Sequence, residues 1–341
     1  MRTRVRPLLV NATIVLVSVT LMLAIAEFSC RAFVDDGMNY HLEMWKYAAR
    51  LKRISPDPAI GHEHVPGARA KLMGVDVEIN DHGLRGPSIT SPKPDDVHRI
   101  VLLGDSMVFG WGVALSDTLS ERLKKNLTAK EHGTYEVINA GVGNYNTTME
   151  VAHFLSKAEI LQPDTIILAY FINDAELVPN HDAVGKIKSS SYLAIVLEGA
   201  FDTIARRFFG RKAWKDYYRD LYRENAAGWF AANESIRKLS EYCHDKNIQL
   251  IMVNIPELRE LDPYPFSNVT TLLADLADSL SLPFIDLLPA VHDINPQDLW
   301  VTVPDPHPNT HANRVFAEYL ASALRFNDGV ISTPVSVITP K

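Results

Sequence analysis

Four residues stand where apolar runs end, and their types fit acyl transfer. Ser106 follows HRIVLLGD, Asn173 follows DTIILAYFI, and Asp305 and His307 lie in VPDPHPNTHAN near the C-terminus. A serine hydroxyl is a weak nucleophile until a base takes its proton and a carboxylate orients that base. The order Ser…Asp…His supplies all three, with Pro306 and Pro308 stiffening the chain around the imidazole. Acyl transfer also needs donors for a developing oxyanion. Two stretches offer them: the turn NAGVGNYNTT, whose backbone passes Gly143 and Asn144, and Asn173 in YFINDAE. Each residue has a plainer alternative. Ser106 can cap a helix, and Asn173-Asp174 can form a turn or a cap.

The elements that must position these residues alternate. RIVLLG, YEVINAG, DTIILAYF, IQLIMVNIP and LPFIDL read as strands. SDTLSERLKKNL, with Ser116 or Asp117 as its cap, reads as a helix. So do TTMEVAHFLSKAEIL, ENAAGWFAANESIRKLSEYCHDKN, NVTTLLADLADSLS and NTHANRVFAEYLASALRF. Near-continuous apolar strands alternating with helices predict an α/β fold, a parallel sheet covered on both faces. Ligands of such sheets bind beyond the carboxyl ends of the strands, where Ser106 falls. Gly104 permits a sharp turn beside a close neighbour. Residues 175–224 break the alternation and read as an insertion placed to form a lid.

Together the GDS after the first strand, the Gly/Asn turn after the second, ND after the third and DxHPN before the last helix resemble the SGNH hydrolases, also called GDSL esterases. The resemblance spans residues 98–327. INDHGLRGP followed by HRIVLLGDSMVFGWGV is similar to membrane-anchored bacterial members. It implies a three-layer α/β/α sandwich with a mostly parallel, flavodoxin-like sheet and no cofactor. It makes Ser106 the nucleophile and an oxyanion donor, with Gly104 and Asp105 as its supporting turn. It makes Asn173 a second donor, His307 the base and a preceding aspartate its orienter. This chain departs from the pattern at three positions. The oxyanion glycine falls on Asn144, after Gly143, and the glycine of the ND block is Phe171. Pro304 stands where many members have aspartate; Asp305 is the substitute, in a DxH spacing shared with some polysaccharide-modifying members, and Asp298 the fallback.

Composition bounds the rest. The 341 residues are 47% hydrophobic and 22% charged, with a net charge of −7. That fits a globular chain, and no basic stripe points to nucleic acid. Cys30 and Cys243 lie in no CxxC motif; Cys243 reads as a buried small hydrophobe, and a disulfide between them is an open alternative. His307 and His311 have the spacing of a metal pair on one helix face, but no acidic partner completes a metalloprotease pattern. Trp111, Tyr145, Phe171 and Trp300 either line a pocket or pack.

Arg2, Arg4 and Arg6 precede an uncharged run over residues 8–26, which as a helix spans about 28 Å, close to a bilayer core. It is either a retained anchor or a cleaved signal with Ala24-Ile25-Ala26 at the cleavage site; a buried N-terminal helix is the third alternative. In the first two the arginines stay cytoplasmic and the remainder is exported, periplasmic or extracellular. The chain then divides into residues 1–30, a juxtamembrane segment 31–97, the catalytic domain 98–327 and a tail 328–341. In the segment, HLEMWKYAARLKRI has helical spacing, ISPDPAIGHEHVPGARAKL reads as irregular, and VDVEIN as a short strand. Three functions follow: hydrolysis of an acyl, perhaps acetyl, ester on an envelope or extracellular glycan; transfer of the acyl group to a sugar hydroxyl; or glycan binding without catalysis.

Overall fold

The computed structural model describes residues 5–130, 133–179, 191–208, 214–303, 305–327 and 330–332. The apolar run forms α1 (Val5–Ser29), continued by a π turn, Cys30–Val34. Within Val10–Val34 its most apolar 18 residues have a mean hydropathy of 2.1 and almost none of that stretch is covered by protein. It is long and apolar enough to cross a membrane.

The next stretch is ordered. Asn39 caps α2 (Tyr40–Leu51) by accepting the Leu42 N–H at 3.2 Å, and Leu42, Tyr47 and Leu51 face inward. The helix ends before KRI, which instead forms β1 (Lys52–Ile54), antiparallel to β2 (His62–His64) with Lys52 opposite His64. β3 (Arg69–Leu72) and β4 (Val75–Glu78) make a hairpin. Thus GHEHVPGARAKL, expected to be irregular, carries two strands; each finds a ladder partner that the composition of the stretch does not advertise.

The central sheet runs β6 (Thr134–Asn139), β5 (Val97–Leu103), β7 (Thr165–Tyr170), β8 (Gln249–Asn254), β9 (Phe284–Asp286), all parallel. This order fixes the layers. The step from β5 to β6 goes one way and the steps to β7, β8 and β9 go the other. Right-handed crossovers therefore put α4 (Leu119–Lys130) on one face. They put α5 (Thr147–Leu161), α8 (Ala227–Lys246) and α9 (Ser267–Ser279) on the opposite face. The packing agrees: α5 lies on α8, and α4 on the last helix, α10 (Thr310–Ala323). The chain reverses direction at β5, so the crevice opens at the carboxyl ends of β6, β5 and β7. The architecture is the expected α/β one, a parallel sheet between two layers of helices.

Three local readings change. α4 begins at Leu119, because Ser116 and Asp117 lie in a 3-10 turn and Asp117 pairs with Arg122. Thr118 Oγ1 takes the cap position, accepting the Glu121 N–H at 3.4 Å. Cys30 and Cys243 are buried and free, so the disulfide does not form. The proline-rich approach to α10 is a hairpin, β10 (Trp300–Thr302) against β11 (Asp305–Pro308). Pro304 lies outside the described residues, as do residues 180–190 and 209–213 of the insertion and nearly all of the tail. The described insertion holds α6 (Tyr192–Phe208) and α7 (Trp214–Leu221).

Candidate active site

Beyond β5 the chain turns at Gly104, where a Cβ would sit 2.3 Å from Val108 Cγ2. Asp105 then caps the short helix α3 (Ser106–Phe109), its Oδ1 accepting the Met107 N–H at 2.8 Å. The capping work thus falls to Asp105. Ser106 is the first helical residue, with its hydroxyl pointing elsewhere.

That hydroxyl meets His307. Ser106 Oγ is 2.9 Å from His307 Nε2, and His307 Nδ1 is 2.5 Å from Asp305 Oδ1. With the Nδ1 proton directed at the carboxylate, Nε2 presents its lone pair to the serine hydroxyl. Asp305 is fully buried. Burial would raise its carboxyl, but His307 beside it and the Trp111 Nε1–H, at 2.8 Å from Oδ2, hold it below the usual carboxylate range. It stays ionised, as an orienting carboxylate must.

The hairpin brings Asp305, and not Asp298, against His307. In β11 alternate residues share a face, so Asp305 and His307 both point toward Ser106. Asp298 is exposed in a 3-10 turn (Pro296–Leu299), where its carbonyl accepts from Asn309. His311 lies in the first turn of α10, after the Asn309 cap, so it shares no helix face with His307. Among the described residues no group of three His, Cys, Asp or Glu side chains could hold a metal.

The turn after β6 separates the two oxyanion candidates. The Gly143 N–H is already used, donating to Tyr47 Oη at 2.9 Å. Asn144 is exposed at φ +66°, the left-handed region that a glycine would favour and that asparagine tolerates best among other residues. Its N–H and that of Ser106 have no acceptor among the described residues. Beyond β7, Asn173 Nδ2 donates one hydrogen to Asp105 Oδ2 at 3.1 Å, leaving its second for a ligand. Behind Asn173, burial pushes the carboxyls of Glu150 and Asp174 well up, with repulsion between neighbouring carboxylates adding to it.

Several contributors were not legible as such in the sequence. Tyr40 stacks on the His307 ring at 6.4 Å, inclined by 30°. Lys52 Nζ donates to the Gly143 carbonyl at 2.5 Å and to Asn144 Oδ1 at 3.0 Å. His62 Nε2 is 3.0 Å from the same carbonyl. Tyr47 Oη is 2.7 Å from His64 Nε2. Burial lowers His62 to about 3 and Lys52 to about 7. Arg85 of LRG donates to the carbonyls of Phe109, Gly110 and Val113, pinning the chain after α3. The HEH triplet, polar on both faces of a short strand, was the one available signal. Of the aromatics, Trp111 serves Asp305. Tyr145 is buried with its hydroxyl on the His62 carbonyl, Trp300 donates to the Leu258 carbonyl, and Phe171 is packed in the core.

No family model matches the chain, and no curated protein does. Solved structures similar to it include TesA, at 14% identity and TM-score 0.42, covering 65% of this chain and 95% of that one. Another is the lipase/acylhydrolase from Enterococcus faecalis, at 16% and 0.40, covering 66% and 94%. A third is a mutant of Axe2, an acetyl-xylooligosaccharide esterase from Geobacillus, at 14% and 0.43, covering 66% and 93%.

Proposed function

We propose that the chain is a serine ester hydrolase working through an acyl-enzyme. The observation that carries this is the continuous line from Ser106 Oγ through His307 to buried, ionised Asp305, with Asp105 taking the helix cap. Ser106 Oγ attacks the ester carbonyl carbon as His307 Nε2 takes its proton. Negative charge gathers on the carbonyl oxygen, received by the N–H groups of Ser106 and Asn144 and by the Asn173 amide. His307 returns the proton to the departing alcohol as the C–O bond breaks. Water then attacks the acyl-serine, His307 takes a proton from it, and collapse releases the acid and restores Ser106. No cofactor enters this scheme.

The substrate class we infer is an acyl ester, acetyl being the smallest, on an envelope or extracellular glycan. Two features support it: the DxH spacing shared with polysaccharide-modifying SGNH enzymes, and α1. Read as an anchor with Arg2, Arg4 and Arg6 cytoplasmic, α1 places the site outside the membrane. Transfer of the acyl group to a sugar hydroxyl would use the same acyl-enzyme and differ only in the acceptor. The test uses the full chain in detergent. Wild type is expected to bind a fluorophosphonate covalently and to release p-nitrophenol from its acetate, and Ser106→Ala to do neither. Folded wild-type protein that does neither overturns the reading and returns glycan binding.

A further inference from the structure

The helix α6 belongs to the insertion that breaks the strand–helix alternation, and it is joined at its start to the end of α1. Glu27, in the last turn of α1, accepts hydrogen bonds from Ser191 Oγ at 2.8 Å and from the N–H groups of Tyr192 at 3.1 Å and Leu193 at 2.9 Å. A carboxylate on free N–H groups at a helix start is a favourable cap. Arg31 pairs with Glu27 and lies over the Tyr192 ring at 4.2 Å. The first turn of α6 is therefore held where the apolar span ends.

Between Tyr192 and Phe201 the helix carries one charge, Glu198. Tyr192 and Ile195 are buried against Cys30 and Leu42, so the inner face is accounted for. The outer face carries Ala194, Leu197 and Phe201, three and four residues apart on one stripe. Leu197 is 58% and Phe201 65% exposed. A helix segment apolar on both faces belongs in a protein core or in lipid. Among the described residues no protein covers this stripe.

The same helix reaches the catalytic mouth. Gly199 abuts the His41 ring so closely that a Cβ there would lie 2.5 Å from it. The residue just before it in the chain, Tyr40, stacks on His307. One helix thus connects the end of the span to the rim of the site.

We propose that α6 lies in the surface of the bilayer that α1 enters, with Leu197 and Phe201 seated among lipid. The site would then take esters borne by membrane-embedded molecules. This rests on α1 being a membrane span and, for the substrate, on the ester hydrolase reading. The occupant is lipid because the stripe continues from an apolar span fixed to it by Glu27.

The full chain is reconstituted in vesicles of equal parts phosphatidylcholine and phosphatidylglycerol. A single environment-sensitive fluorophore is placed through Leu197→Cys, Phe201→Cys, Leu16→Cys in α1, or Lys125→Cys on exposed α4. Unmodified protein corrects for Cys30 and Cys243. Spin-labelled lipid is expected to quench residues 16, 197 and 201, and aqueous iodide to quench residue 125. Iodide quenching at 197 and 201, with residue 16 in lipid, overturns the proposal and keeps the anchor. Iodide quenching at 16 as well overturns both. Protection of 197 and 201 from both quenchers indicates a covering protein, a second copy first of all, and overturns it too.

A second readout addresses the substrate. The double variant Leu197→Ser, Phe201→Ser is expected to keep wild-type turnover of p-nitrophenyl acetate. It should lose about tenfold in kcat/KM on a p-nitrophenyl ester of a long-chain acid dissolved in the vesicles, a loss worth ~1.4 kcal/mol. Equal rates on the vesicle substrate overturn this part. Loss of both activities to Ser106→Ala but not to the double variant shows the hydrolase reading standing apart from the surface one.

Discussion

The indole N–H of Trp111 donates to Asp305 Oδ2 at 2.8 Å, and His307 occupies the other oxygen of the same buried carboxylate. Trp111 thereby fixes the plane of the carboxylate that meets His307. Trp111→Phe keeps the ring and removes the donor. A hydrogen bond to a charged group contributes roughly 1.5–3 kcal/mol, so kcat should fall about 10- to 100-fold with KM unchanged. Because this bond helps hold Asp305 low, the acid limb of the rate profile should move to higher pH. An unmoved limb with full kcat would remove Trp111 from the machinery.

Asp305 and Asp298 make opposite predictions. Asp305→Asn leaves the geometry in place but removes the charge that favours the reactive tautomer and stabilises the imidazolium. Single-turnover rates should drop by at least ~10²-fold. Asp298→Asn, altering an exposed side chain in a 3-10 turn, should leave the rate as it was. A reversed pattern would mean that the hairpin rearranges in solution.

The oxyanion donors can be separated. Asn173→Ala removes a side-chain amide and should lower kcat by about 10²–10³-fold, or roughly 3–4 kcal/mol. Asn144→Gly keeps both the backbone N–H and the left-handed φ, so activity should survive. Large losses from Asn144→Gly would show that the side chain, not the N–H, is what matters there.

Much of this site was legible because it is built from chain ends. Strand termini, a serine after a Gly-Asp turn and a DxH pair are local features, and local features survive in sequence. The DxH spacing was legible; the hairpin whose strand alternation puts Asp305 and His307 on one side was not. What stayed hidden was non-local. Trp111 meets Asp305 across 194 positions, and Lys52 meets Gly143 across 91. Apart from the HEH triplet, nothing in the composition of residues 40–86 announces that they wrap the crevice. The choice between Gly143 and Asn144 was hidden for the same reason. It turns on whether Tyr47, far upstream, already holds one of the two N–H groups.

That upstream clamp makes its own prediction. Tyr47 accepts from the Gly143 N–H, and Lys52 and His62 converge on the Gly143 carbonyl. Tyr47→Phe and Lys52→Met should each loosen the turn that presents the Asn144 N–H. The expected signature is a kcat loss of about fivefold, near the ~1 kcal/mol net worth of one hydrogen bond, with KM preserved. Fluorophosphonate labelling should slow in parallel, since the phosphonyl oxygen uses the same donors. A KM effect alone would mean that these residues touch substrate.

His153 is one of the buried groups that tie stability to pH. Its ring packs edge-on against Tyr145 at 5.6 Å, its Nε2 is buried without a partner, and burial first, then Lys157, lowers it from 6.5 to about 3. Between those two values the unfolded chain binds a proton that the folded chain refuses. Stability therefore falls as pH drops from about 6.5 toward 3, by up to ~1.4 kcal/mol per pH unit for each such group. His62 and His64, also depressed by burial, act in the same direction. Phenylalanine at position 153 keeps the aromatic contact and cannot titrate. Urea unfolding of His153→Phe in detergent, followed across this pH range, should show a slope shallower than wild type by one proton. Its stability should equal or exceed wild type at the acid end. Parallel slopes would mean that His153 takes up its proton in the folded state as readily as in the unfolded one, and that the wall behind the oxyanion turn is wetter than its packing indicates.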